Sequence, residues 1–129
     1  MNTTVRSYRH DTDYERINRF LLKTYGKSGS HTNWLQTRWE GMFHHPLTER
    51  VESSTFGLWE TGGEILALVH PEFFWGEVYA QLATEDIALK RDVLAYAEDH
   101  LAACSQGAKA LRVHINDLDE EFQHVAADS

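Results

Sequence analysis

Apolar positions along this chain recur at two spacings, every second residue and every third or fourth, and each change of spacing marks a new element. Thr4-Val5-Arg6-Ser7-Tyr8 alternates and predicts a first strand. Thr12-Asp13-Tyr14-Glu15 has the form of a capping box, in which the Thr oxygen and the Glu carboxylate each take an exposed backbone N–H. The helix it opens would carry Tyr14, Ile17, Phe20, Leu21 and Tyr25 on one face. Gly26-Lys27-Ser28-Gly29-Ser30 predicts a loop. Asn33 is placed to cap a second helix bearing Trp34, Leu35, Trp39, Met42 and Phe43. That helix must stop before Pro46, because the residue preceding a proline avoids the helical region.

Phe56-Gly57-Leu58-Trp59-Glu60 and Glu64-Ile65-Leu66-Ala67-Leu68-Val69 flank Thr61-Gly62-Gly63, and glycines supply the positive φ of a tight hairpin turn. The second of these strands is apolar on both faces and is expected to be central. Glu77-Val78-Tyr79-Ala80-Gln81-Leu82 continues the sheet. A long helix is expected from Thr84 or Glu85, with Val93, Leu94, Ala97, Leu101 and Cys104 on one face and Gly107 at its end. Leu111, Val113 and Ile115 alternate as a fifth strand, and Asp119 is placed to cap a last helix. No repeat, low-complexity tract or internal linker interrupts this order, so residues 1–129 read as a single domain.

Composition narrows the function classes. The formal net charge is −8, and a negative face repels phosphate, which argues against nucleic acid or an anionic membrane as partner. No apolar run approaches the ~20 residues that a membrane helix needs, and the first residues carry no hydrophobic signal region. The single Cys104 rules out an internal disulfide, and on a helical apolar stripe it reads as a core thiol. A cytoplasmic location is expected.

The order strand, helix, helix, three antiparallel strands, helix, strand, helix resembles the GNAT N-acetyltransferase superfamily. The residues that carry the likeness are Val5-Arg6-Ser7-Tyr8-Arg9, Asp13-Tyr14-Glu15-Arg16-Ile17, Asn33-Trp34-Leu35-Gln36-Thr37-Arg38-Trp39-Glu40, Gly57-Leu58-Trp59-Glu60 with its glycine turn, Val69-His70-Pro71-Glu72 and Leu94-Ala95-Tyr96-Ala97-Glu98. The likeness implies an α/β (α+β) fold, a five-stranded mixed sheet with helices on both faces, without the superfamily's C-terminal strands. It also implies the N-terminal domain of an acetyl-CoA-dependent N-acetyltransferase. In the superfamily a glycine-rich turn before the long helix holds the acetyl-CoA pyrophosphate on successive backbone N–H groups. The matching segment here, Leu82-Ala83-Thr84-Glu85-Asp86-Ile87-Ala88-Leu89, has no glycine and brings two carboxylates. Leu82, Ala83 and Thr84 are the implied cofactor contacts, and acetyl-CoA binding is expected to be weak or absent. The plainer reading of Thr84, Glu85 and Asp86 is that they are simply N-capping residues. The likeness further implies a tyrosine on the final helix that protonates the departing thiolate; the matching position is Ala126, and no tyrosine follows Tyr96. The chain is therefore expected not to catalyse alone. Its partner would be the missing C-terminal half or a second copy pairing on the fifth strand. The alternative is a non-catalytic module that binds a ligand or a protein.

Other side chains suggest roles inside that frame. Glu77, at the start of a strand, is placed to act as general base toward an amine, and reads also as a solvated strand-end carboxylate. His70, after the central strand, and Trp34 are the candidate substrate-pocket residues. Eight histidines invite a metal reading, and Glu40 and His44, four apart with His45 adjacent, could present a carboxylate and an imidazole from one helix face, but no third ligand is identifiable and no metal site is expected. Three consecutive aromatics, Phe73, Phe74 and Trp75, cannot all point inward. No Gly-x-Ser-x-Gly occurs, so a serine triad is not supported.

Overall fold

The computed structural model describes residues 3–25, 33–46, 52–72, 76–84, 86–105, 108–115 and 120–127. Strand β1 (Thr4–Ser7) leads into helix α1 (His10–Thr24), and helix α2 (Gln36–His44) precedes strands β2 (Gly57–Thr61), β3 (Glu64–His70) and β4 (Glu77–Leu82). Helix α3 (Ile87–His100) is followed by strands β5 (Ala103–Ser105), β6 (Ala108–Ala110) and β7 (Arg112–His114), then helix α4 (Glu120–Ala127). The main sheet has five strands in the order β1-β2-β3-β4-β7, antiparallel except for the β4–β7 pair. This is the mixed five-stranded α+β arrangement, and β3 is central.

Helices cover both faces, and the alternation along the strands decides which side chain meets which helix. Ile17, Phe20 and Leu21 of α1 and Trp39 and Met42 of α2 pack with Tyr8, Phe56, Leu58 and Leu68. On the other face Leu89, Val93, Leu94 and Ala97 of α3 and Phe122 and Val125 of α4 cover Trp59, Ala67, Val69, Val78, Ala80 and Leu82.

Two ends of α3 differ from the sequence expectation. The helix begins at Ile87, with Asp86 as its cap, and ends at His100. Leu101 then turns into the core, and its carbonyl accepts the Gly76 N–H at 3.0 Å. Gly76 has φ 89, and a Cβ there would lie 2.8 Å from the Ala103 Cβ, so only glycine lets the chains pass. Its own carbonyl accepts the Arg112 N–H at 2.6 Å, which starts β7 alongside β4. Cys104 consequently lies on β5 of a small β5–β6 hairpin rather than on a helical stripe. Gly107 and Asp119 lie outside the described residues.

The start of α1 also differs. Helical geometry begins at His10, and Arg9, the N-cap, has no side-chain cap. The Thr12–Glu15 capping box is not formed; instead Asp13 reaches back, its Oδ2 accepting the Arg9 N–H at 2.8 Å. Tyr25 falls just past the helix end and is 46% exposed, so it does not join the apolar face.

Candidate functional site

The β4–β7 pair is short, and the space beside the rest of β4 is the most informative part of the molecule. Among the described residues pairing runs Glu77↔Arg112, Val78↔Val113 and Tyr79↔His114 and goes no further. On its other side β4 pairs with β3 through Leu82↔Ala67. The Ala83 N–H donates to the Leu66 carbonyl at 2.9 Å, so Leu82 stands in a non-hydrogen-bonded pair. Its own N–H and C=O therefore point away from β3, toward the side that β7 has left.

Asn33 takes both. The Leu82 N–H donates to Asn33 Oδ1 at 2.8 Å, and Asn33 Nδ2 donates to the Leu82 carbonyl at 2.9 Å. The carboxamide thus presents to β4 the donor and acceptor that a neighbouring strand would present. Its second amide hydrogen goes to Thr24 Oγ1 at 2.8 Å, and that hydroxyl donates to the Phe20 carbonyl. Asn33 is not the helix cap that its place before the apolar run predicts: α2 starts at Gln36 with Leu35 as its N-cap, and Leu35 is 54% exposed.

Next to Asn33 lies a buried polar chain among aromatic rings. The Trp34 N–H donates to Gln81 Oε1 at 2.8 Å, Gln81 Nε2 donates to His70 Nε2 at 3.2 Å, and His70 Nδ1–H donates to the Pro71 carbonyl at 2.8 Å. This direction of bonds fixes His70 as the neutral Nδ1–H tautomer. Burial lowers its pKa from 6.5 to about 4, with the Pro71 carbonyl opposing that shift. Trp34 and Trp39 stand edge-on to the ring at 4.7 and 5.4 Å, and Phe56 lies 5.6 Å away. The structure places Trp34 against His70, and His70 is fully buried with both nitrogens engaged. It shapes the wall behind Trp34 and offers no free nitrogen to a ligand.

Outside that wall is a row of flat groups. Arg38 lies 4.0 Å over the Trp34 ring and 5.0 Å from Tyr79, held by a two-pronged bond to Glu72 at 2.9 and 3.2 Å. Tyr79 stacks on His114 at 4.5 Å with the rings 8° apart. Glu77, two residues before Tyr79 and on the same strand face, pairs with Arg112 at 3.3 Å and lies 3.9 Å from His114.

Leu82 and Ala83 belong to a different feature, a cleft of about 570 Å³ between α1 and the β2–β3 hairpin end. Phe20, Ile65, Leu66 and Leu82 form apolar walls, and Arg16, Arg19 and Lys23 line the α1 side. Arg16 is tied to Asp13 and Glu60 at 3.0 and 2.6 Å. Arg19 and Lys23 are exposed and pair with no acid among the described residues. Thr84 Oγ1 accepts the Asp86 N–H at 3.3 Å, and Asp86 Oδ1 accepts the Ala88 N–H at 2.9 Å. The α3 N-terminus is thus capped by a carboxylate of its own; Glu85 lies outside the described residues, as do Phe73, Phe74 and Trp75.

Sequence reasoning passed over Asn33 as a strand mimic and over the Arg16, Arg19, Lys23 stripe. The stripe was visible as three cations at helical spacing on an acidic chain. Among the described residues no three metal-ligating side chains converge, and no helix is long and apolar enough to cross a membrane. No family model matches the chain, and no curated protein matches it.

Proposed function

We propose that this chain is a GNAT-like domain that does not carry out acetyl transfer by itself and serves as a non-catalytic binding module. The observation that carries the reading is the Asn33–Leu82 pair. The pantetheine arm of acetyl-CoA is an extended chain with amide groups, and the open side of β4 is where such a chain would add like a strand. Asn33 already uses the Leu82 donor and acceptor there. Asp86 adds to this, since its carboxylate occupies a backbone N–H at the α3 terminus where a pyrophosphate would be drawn.

The test is calorimetric titration with acetyl-CoA. The expected result is no saturable binding even at millimolar ligand; a dissociation constant in the low micromolar range overturns the reading.

A second reading is supported by β7. Among the described residues no strand lies on its outer side, so a C-terminal half or a second copy of the chain would add there. In that assembly Glu77 would be the general base of an acetyl-CoA-dependent N-acetyltransferase, and Trp34 would face the acceptor. Light scattering that finds only a monomer at tens of micromolar counts against it.

A further inference from the structure

We propose that the cleft between α1 and the β2–β3 hairpin binds a small organic anion with an apolar body, a carboxylate or phosphate ester on a short hydrocarbon. The proposal deepens the binding-module reading and rests on it. The cleft holds about 570 Å³, within the range of roughly 300–1,000 Å³ usual for small-molecule sites. Its walls supply the apolar contact: Phe20 and Leu82 are buried, and Ile65 and Leu66 are half-buried.

Its charge is the reverse of the molecule's. The chain carries −8 overall, yet among the described lining residues the α1 wall presents three cations against the single acid Glu64. Arg16 is spent on Asp13 and Glu60, and it also donates to the Gly63 carbonyl at 3.2 Å, which fixes the hairpin end against α1. Arg19 and Lys23 are left. They stand four residues apart on one face of α1, where like charges repel each other. No described acid relieves that repulsion; an anion between them would. Arg19 offers a planar fork suited to an oxyanion, and Lys23 a second charge beside it.

Polar groups deeper in the cleft are already satisfied, because Thr24 Oγ1 both donates to Phe20 and accepts from Asn33. Among the described residues nothing in the floor therefore asks for a polar ligand tail. The recognition is a charged mouth over an apolar floor.

The test uses octanoate, octyl phosphate and octylammonium, which share one tail and differ in head. Each is titrated below its micelle concentration while amide shifts are followed by NMR. The expected result is saturable shifts clustered at α1, at residues 63–66 and at residues 82–83 with one or both anions, and none with octylammonium. Arg19→Gln with Lys23→Gln, both exposed and outside the core, should weaken anion binding more than tenfold. Arg91→Gln, at another exposed cation on α3, should leave it within twofold and so controls for net charge. Binding of octylammonium as tightly as octanoate, shifts mapped elsewhere, or an unchanged affinity in the double variant would each overturn the proposal. Acetyl-CoA titration reports separately on the binding-module reading, so a failure of that reading is distinguishable from a failure of the anion site.

Discussion

Arg6 and Asp13 meet fork to fork: Nη1 donates to Oδ2 and Nη2 to Oδ1, each at 2.8 Å. Asp13 is fully buried, and the same Arg6 reaches Glu60 on β2 at 2.7 Å. The pair therefore ties β1 to both α1 and β2. Burial pushes the Asp13 pKa up, but the Arg6 guanidinium, the Arg9 N–H and Arg16 outweigh it and hold it down at about 2. A carboxylate depressed in the folded state stabilises fully above its unfolded value of 3.8 and loses that contribution as pH falls toward about 2. Asp13→Asn should cost about 2 kcal/mol at pH 7, since a tenfold difference in proton affinity between the folded and unfolded chain is worth about 1.4 kcal/mol. The gap between variant and parent should narrow as pH falls below 4. Urea denaturation at pH 7 and pH 3 checks both.

His70 gives a second acid-side loss in a different window. Its folded pKa is depressed to about 4 from 6.5, chiefly by burial, so the unfolded chain takes up the proton first as pH falls. Stability is complete above 6.5 and declines as pH drops toward 4. Between pH 7.5 and 5 the loss from this group should be roughly 2 kcal/mol. His70→Gln keeps an acceptor for Gln81 and cannot titrate. It should be less stable than the parent at pH 7.5 yet show a flatter dependence down to pH 5. Parallel slopes in the two proteins would exclude His70 as the source.

Much of the sheet was legible because its signals are local. Glu77–Leu82 forms β4 over the residues that alternation picked out, and Gly62 and Gly63 turn at φ 55 and 82 as a tight hairpin requires. What was hidden depended on distant partners. An asparagine before an apolar run reads as a cap, and nothing near Asn33 announces that its partner is Leu82, forty-nine residues away. Leu101 and Cys104 continue the helical spacing of α3, so the stop at His100 is invisible without the Gly76 N–H that claims the Leu101 carbonyl. At α1 the polar run from Arg9 to Thr12 carries no apolar period, and the Asp13 carboxylate that accepts the Arg9 N–H there is paired with Arg6, a residue of another element. The residues expected at a site divide accordingly. Trp34 lies against His70, Leu82 and Ala83 line the cleft beside α1, Glu77 lies on the same face as Tyr79, and the α3 terminus beside Thr84 is taken by Asp86.

The hairpin turn can be tested without disturbing any packing. A Cβ at Gly63 would meet nothing within 4 Å, so the cost of a side chain there is conformational alone. At φ 82 a β-branched residue is strongly disfavoured, and Gly63→Val should destabilise by more than ~1 kcal/mol. Gly63→Asn, which tolerates that region better, should recover part of the loss. Equal melting temperatures for glycine and valine would contradict the geometry.

Asn33 provides the last and most discriminating prediction. Asn33→Ala leaves the buried Leu82 N–H and C=O without their partner and should cost about 1–3 kcal/mol. Asn33→Asp restores only the acceptor at neutral pH, and it places a carboxylate against the Leu82 carbonyl. Burial and that facing carbonyl both disfavour the charge, so the new carboxyl should titrate above the ordinary range. A group raised in the folded state stabilises below its unfolded pKa, near 3.9, and loses that effect as pH rises through the folded value. Once protonated, its O–H can donate to Leu82 while the other oxygen still accepts, which reproduces the asparagine pattern. Asn33→Asp should therefore match or fall below Asn33→Ala at pH 7 and overtake it at pH 4. The two variants share every other titratable group, so the acid-side losses at Asp13 and His70 cancel in the comparison. Denaturation curves for both at the two pH values decide it, and an order that does not change with pH would mean that the carboxamide is not bridging β4.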